Sequence, residues 1–325
     1  MAVGMKLYAG VEIGATKQQI VLGDCNGDIY KSVYENVDVS DGAQGILKWI
    51  KCAMPPLIEQ AVGAGRRVYG IGVGFGGIVE SSTGRVILSV QVKGWDNFLL
   101  KSWCENNFGL PTLVVNDTVC GGFCEYILGS GRGADIFFYT NIGSGIGGSL
   151  FFGGQNFDGQ GYGAAYFGNT YIPSLTETGE PAKIENICSG FAIERRLRTP
   201  GYVPTGSMLF EMSRGNCESL TCRDLHTAAK AGDAFAKAEV DLVAKSFGIG
   251  LANILTLFHP QRISIGGGVS HFGRLLLDPI EKYAKSMAFG PCGEGFELVQ
   301  CTYTDMAVPM GAVLMAAGRS ENNVV

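Results

Sequence analysis

A strand, a glycine-rich turn and a returning strand occur twice in this chain, near Gly14 and again, about 130 residues later, near Gly145. In the first copy Lys6 to Ile13 reads as a strand, Gly14-Ala15-Thr16-Lys17 as a tight turn and Gln19 to Leu22 as the second strand. In the second copy Ile136 to Thr140, Gly143 to Gly148 and Ser149 to Phe152 repeat that order. A strand that returns at once through glycine makes a hairpin, not a strand-to-helix nucleotide loop. Two copies of one unit predict two similar lobes facing across a cleft, and 325 residues exceed what one compact core usually serves.

The remaining periodicities give an α/β chain. Ala43 to Val62 carries helical spacing at Ile46, Ile50, Met54 and Ile58, with Pro55-Pro56 expected to kink or interrupt the helix. Val68 to Phe75 reads as a buried strand ending at Gly76-Gly77. Thr112 to Val115 reads as a short strand that meets Asn116-Asp117 and a helix through Tyr126. Asp233 to Phe258 reads as a long helix broken or kinked near Gly248 and Gly250. It leads to a strand, Arg262 to Ile265, and a third glycine turn, Gly266-Gly267-Gly268; Gly311 to Gly318 reads as a small-residue helix.

Composition narrows the partners. With 46% hydrophobic and 17% charged residues, a net charge of −5 and no basic run, the chain is expected to be soluble and not to bind nucleic acid. No apolar stretch approaches the roughly 20 residues that span a bilayer, and Met1 to Gly10 lacks an export core, so a cytoplasmic location is expected. Ten cysteines, in periodic segments such as Cys120 and Cys124, read as buried thiols and not as a disulfide framework. No CxxC pair exists and histidines number three (His226, His259, His271), so no structural zinc site is expected.

Each candidate site residue has two readings. The turns around Gly14, Gly145 and Gly267 can be plain turns, or their bare amides can close on phosphate oxygens and a flat ring. Glu12 can be a solvated strand-end charge or can orient a hydrated Mg²⁺. Asp117 can be a helix N-cap or a general base that takes the proton of an attacking hydroxyl. Glu185, opening a helix before Cys188-Ser189-Gly190, can serve the helix dipole or accept ring hydroxyls.

Taken together, these motifs resemble the ROK family of the actin/hexokinase superfamily, whose members include bacterial glucokinases and N-acetylhexosamine kinases. Gly10 to Lys17 is similar to the family's first phosphate motif, with Glu12 where Asp is usual. Gly74 to Val79 is similar to its substrate-side loop, with Gly76 replacing Pro. Asn116-Asp117, Thr140 to Gly148 and Ile263 to Ser270 match the catalytic pair, the second phosphate motif and the adenosine motif.

The resemblance implies a two-lobed actin/hexokinase (ribonuclease H-like) ATPase fold with an interlobe cleft. It places residues 1–118 and about 306–325 in a small lobe and 119–305 in a large one. It implies an ATP-dependent sugar kinase using Mg²⁺, with Asp117 as base, in a homodimer or homotetramer. ATP would contact Glu12, Gly14, Ala15, Thr16, Lys17, Gly143, Ser144, Gly145, Gly147, Gly266, Gly267 and Gly268; sugar would contact Gly76, Gly77, Asn116, Asp117, Tyr166, Asn169 and Glu185.

Two departures stand out. Where the family has Gly-Glu-Ile-Gly-His, this chain reads Ala165-Tyr166-Phe167-Gly168-Asn169, and Thr176 to Lys183 replaces the cysteine cluster. A zinc-free member with altered sugar recognition is expected, with a non-catalytic sugar sensor as the rival reading. Repressors of the family carry an N-terminal helix-turn-helix, for which the strand beginning by residue 6 leaves no room.

Overall fold

The computed structural model describes residues 6–89, 91–173, 175 and 180–321. In chain order the first elements are β1 (Lys6–Ile13), β2 (Lys17–Gly23), β3 (Ile29–Asn36), α1 (Gly42–Gly63), β4 (Arg67–Phe75), β5 (Ile78–Glu80), β6 (Arg85–Leu88), α2 (Leu100–Phe108), β7 (Thr112–Asn116) and α3 (Asp117–Ile127). Next come β8 (Ile136–Asn141), β9 (Gly148–Phe152), β10 (Gln155–Asn156), β11 (Tyr171–Ile172), β12 (Ala182–Lys183), α4 (Ile184–Cys188), α5 (Gly190–Leu197), α6 (Met208–Met212) and α7 (Cys222–Ala231). The chain finishes with α8 (Ala234–Phe258), β13 (Arg262–Gly266), α9 (Arg274–Met287), β14 (Glu297–Gln300) and α10 (Ala307–Glu321).

Contacts divide these elements into two compact units. One runs to Gly133 and takes in Ser149–Ala165 and the chain from Asp305; the other is Ala134–Gly148 with Tyr166–Thr304.

In the first unit a five-stranded sheet has the order β3-β2-β1-β4-β7. Its centre is parallel, with β4 between β1 and β7, and β2 and β3 extend it antiparallel. Central strands covered on both faces read as near-continuous apolar runs, which is why β1 and β4 are buried almost throughout. The edge strand β3 carries Lys31 and Glu35 at exposed positions, as an unpaired edge requires. On one face α10 packs against β1, β4 and α3. Side chains at Gly72 and Gly311 would overlap the carbonyls of Ala312 and Cys120, so backbone lies directly on backbone there.

The prolines expected to interrupt α1 do not end it. The helix runs from Gly42 to Gly63 with Ile46, Ile50, Met54 and Leu57 buried along one face. Burying four such side chains, at roughly 1.5–3 kcal/mol each, offsets roughly 3 kcal/mol per interior proline. The expected break in α8 is also absent: one helix of 25 residues passes through Gly248 and Gly250. These glycines serve close packing instead. A Cβ at Gly248 would meet Tyr283 Cβ at 2.6 Å, and one at Gly250 would overlap Ile184 Cδ1.

In the second unit β13 lies parallel between β8 and β14. Helix α8 packs against α9, α4 and α7. Contrary to the sequence expectation, α8 is long and apolar enough to cross a membrane, with a mean hydropathy of 1.4. Its apolar window is 61% buried inside the protein, which is the behaviour of a core helix.

Candidate active site

Register decides which side chains meet. In the first sheet Ile13 pairs with Phe75, and Phe75 with Asn116. The strands therefore end level, and Gly14, Gly76 and Asp117 emerge side by side at the carboxyl edge, where open parallel sheets bind ligands.

Asn116, not Asp117, is the N-cap of α3: its Oδ1 accepts the Thr118 amide at 2.9 Å. Its Nδ2 donates to the Gly77 carbonyl at 3.0 Å and, at 3.4 Å, to that of Phe75. The Asn116 amide thus ties the start of α3 to the Gly76-Gly77 loop. Asp117 Oδ1 accepts the Thr118 amide at 2.8 Å, while Oδ2 faces Gly76, 3.5 Å from where a Cβ would sit. Burial first, and the charge of Glu12 second, push the Asp117 carboxyl up to about 7.

Glu12 lies on the same edge, and Lys17 Nζ stands 3.3 Å from its Oε2. The two form an ion pair, and no other group among the described residues donates to this buried oxygen. Burial raises the Glu12 carboxyl, Lys17 opposes that rise, and Asp305 adds to it. Lys17 Nζ also donates to the Asp305 carbonyl at 3.5 Å. A buried carboxylate at the mouth of a glycine turn has the donor chemistry for a hydrated divalent cation, which keeps most of its water and takes few protein ligands. In the turn itself, Gly14 donates to the Lys17 carbonyl at 3.1 Å, while the amides of Ala15 and Thr16 have no partner among the described residues.

A hollow beside Gly14, Ala15 and Gly76 is also lined by Phe75, Ser89, Gln91, Val92 and Trp95. Ser89 Oγ accepts the Gln91 and Val92 amides at 3.4 and 3.3 Å. The buried Trp95 indole N–H has no partner among the described residues. Ser89, Gln91 and Trp95 stand in no glycine motif, so no local sequence pattern marks them.

In the second unit Thr140 pairs with Ile265 and Asn141 with Gly266, so the second and third glycine turns leave adjacent strands together. The turns interlock: Ile142 donates to Gly266 O at 2.9 Å, and Val269 donates to Ile142 O at 3.0 Å. Gly267, at φ +81°, approaches so closely that a Cβ would lie 2.6 Å from the Ile142 carbonyl. Within the second turn Gly143 donates to Gly145 O at 3.0 Å and Gly147 to Asn141 Oδ1 at 2.8 Å. The amides of Ser144 and Gly145 have no partner among the described residues. Asn141 was missed from sequence, although it closes the strand that enters the turn.

The remaining expected residues cluster only in part. Glu185 Oε2 accepts the Ile146 amide at 2.7 Å, and Gly168 packs on the Ile146 carbonyl. Tyr166 is half-buried, ahead of Phe167, which sits in the core against Phe247 at 5.0 Å. Asn169 is exposed and accepts from Lys183 at 2.9 Å. Of the segment replacing the cysteine cluster, 176–179 lies outside the described residues. Among the described residues no group of three His, Cys, Asp or Glu side chains is placed to hold a metal.

The chain belongs to the ROK family, whose profile matches residues 8–319. It is 29% identical to a glucokinase of Halalkalibacterium halodurans over 89% of this chain and 88% of that one. It is 26% identical to a xylose repressor of Caldicellulosiruptor bescii, over 94% of this chain and 77% of that one. In three dimensions it is similar to a ROK family glucokinase from Streptomyces griseus, solved with glucose and AMPPNP. That likeness has a TM-score of 0.81 and 29% identity, covering 96% of this chain and 99% of the other. The fold is accordingly that of the actin/hexokinase superfamily.

Proposed function

We propose that the protein is an ATP-dependent sugar kinase that transfers the γ-phosphoryl group of ATP to a sugar hydroxyl. The observation that carries this reading is Asp117, at a carboxyl sheet edge beside Gly14 and Gly76, with its carboxyl pushed up to about 7. A base of that strength is half ionised near neutral pH and can take a hydroxyl proton as the oxygen attacks phosphorus.

Free amides at Ala15 and Thr16 in one unit, and at Ser144 and Gly145 in the other, suit phosphate oxygens. The Gly266–Gly268 backbone, bare of side chains, suits the adenosine. Gly76, Gly77, Glu185 and Tyr166 are proposed to receive the sugar. Asn116, fixed by its bonds to the Gly77 carbonyl and the Thr118 amide, and Asn169, whose Oδ1 alone is taken by Lys183, are proposed to border the sugar as well. Mg²⁺, held through water by Glu12, would neutralise phosphate charge.

The test is an ADP-release screen over hexoses, N-acetylhexosamines and polyols. Release that follows one sugar, and vanishes in Asp117→Asn, supports the kinase. The second reading, a sugar-binding protein without catalysis, draws on the likeness to a xylose repressor and on Tyr166 standing where the family has a carboxylate. Sugar binding with no ADP from any member of the panel would favour it.

A further inference from the structure

Glu185 does more in this structure than line a pocket. Its Oε2 accepts the Ile146 amide at 2.7 Å, inside the second glycine turn. No hydrogen bond from the described residues reaches its Oε1. The helices around it brace the same turn: Gly190 donates to Gly143 O at 2.7 Å and Phe191 to Ser144 O at 3.4 Å. That helical segment is itself anchored. Arg196 donates to the Ile187 carbonyl at 2.6 Å and pairs with the buried Glu239 at 3.2 Å.

The consequence for the turn is specific. Ile146, held by Glu185, and Gly147, held by Asn141, follow directly on Ser144 and Gly145, whose amides are open. Fixing the next two amides fixes the direction in which the open pair points. A carboxylate is a strong acceptor for this purpose, since charge-assisted hydrogen bonds are roughly twice as strong as neutral ones.

We propose that Glu185 is a positioning residue for the second glycine turn, one oxygen setting the Ile146 amide and the other open to a hydroxyl of a polyhydroxylated ligand. Resting on the kinase reading, this links sugar occupancy to the shape of the turn that faces phosphate. A hydroxyl on Oε1 limits rotation of the carboxylate, which steadies Oε2 on the amide. By linkage, whatever steadies the turn for one ligand favours the other.

The test is hydrogen exchange of peptides covering 141–150 in the ligand-free protein, for wild type, Glu185→Gln and Glu185→Ala, with AMPPNP affinity measured alongside without sugar. Glu185→Ala should speed exchange at the Ile146 amide about tenfold or more, as loss of a hydrogen bond to a charged group implies. It should also weaken AMPPNP binding severalfold. Glu185→Gln keeps an acceptor oxygen and should restore most of the protection. Exchange in peptides from Ala234–Phe258 serves as the folding control.

Wild-type exchange at 141–150 in Glu185→Ala overturns the proposal. So does AMPPNP affinity in Glu185→Ala equal to that of wild type, because the held amide then does not set the open pair. The exchange readout needs no turnover. Failure of every sugar to release ADP would remove the kinase reading and leave this measurement intact.

Discussion

The two glycine-turn edges are built from different materials. At the first, the turn after β1 sits among ionisable side chains: Glu12, Lys17, Asp117 and Asp305. At the second, the turns after β8 and β13 offer backbone amides, and the nearby carboxylate, Glu185, holds the Ile146 amide through one oxygen. Side-chain charge marks the first edge and fixed backbone dipoles the second; on the proposed kinase reading the first would take up the proton and the second would bind. Replacing one side chain at the first edge should therefore silence turnover, whereas changes at the second should act on binding.

The largest expected effect breaks the first edge. Asp117→Asn should lower kcat by about 10²–10⁴-fold, the usual worth of a general base, while AMPPNP affinity stays near that of wild type. Turnover within about threefold of wild type would remove Asp117 from the chemistry. The raised carboxyl also fixes the sign of two pH effects. Turnover in wild type should rise as pH passes up through about 7, because the working form is the carboxylate. Stability should move the other way. A folded-state value above the unfolded one contributes stability that is full below the ordinary carboxylate range and is lost as pH climbs to about 7. Asp117→Asn should accordingly melt higher than wild type at pH 8, and a lower melting temperature there would contradict a costly buried charge.

Next in size is a backbone change at the second edge. Gly267→Ala puts a methyl 2.6 Å from the Ile142 carbonyl at a φ of +81°. It should cost about 1–3 kcal/mol of stability and about tenfold or more in AMPPNP affinity, because the second and third turns must separate. Alanine at Gly268, where a Cβ meets nothing within 4 Å, is the control and should melt as wild type does. Equal behaviour of the two variants would mean that the interlock does not matter.

How legible this was from the sequence follows from the range of each interaction. Strands β1, β4 and β8 and the turns after them were readable, since apolar runs and glycine are local signals. So was Asp117, because a carboxylate directly after a buried strand is conspicuous. What escaped depends on contacts distant in sequence. Nothing near Pro55 says that the face of α1 holds the helix together, and nothing near Gly250 says that Ile184 packs there. The bond from the Asn116 amide to the Gly77 carbonyl, 39 residues away, likewise has no local signature. Ser89 and Gln91 gave no pattern at all. They reach the site because the chain returns past Gly76.

The smallest effect sharpens the contrast between the edges. Glu12 raises Asp117 through its charge, and burial raises Glu12 while Lys17 pulls it back. Glu12→Gln removes that charge and keeps nearly the same shape. The acid limb of the pH–rate profile for kcat/KM should then move to lower pH, toward the ordinary carboxylate range. Lys17→Met should not act in the same sense, since it leaves Glu12 in place without its counter-charge. Were both variants to leave the acid limb where wild type has it, Asp117 would be tuned by burial alone. The charged residues of the first edge would then serve ligand binding, as the amides of the second do, and the division between the two edges would rest on Asp117 by itself.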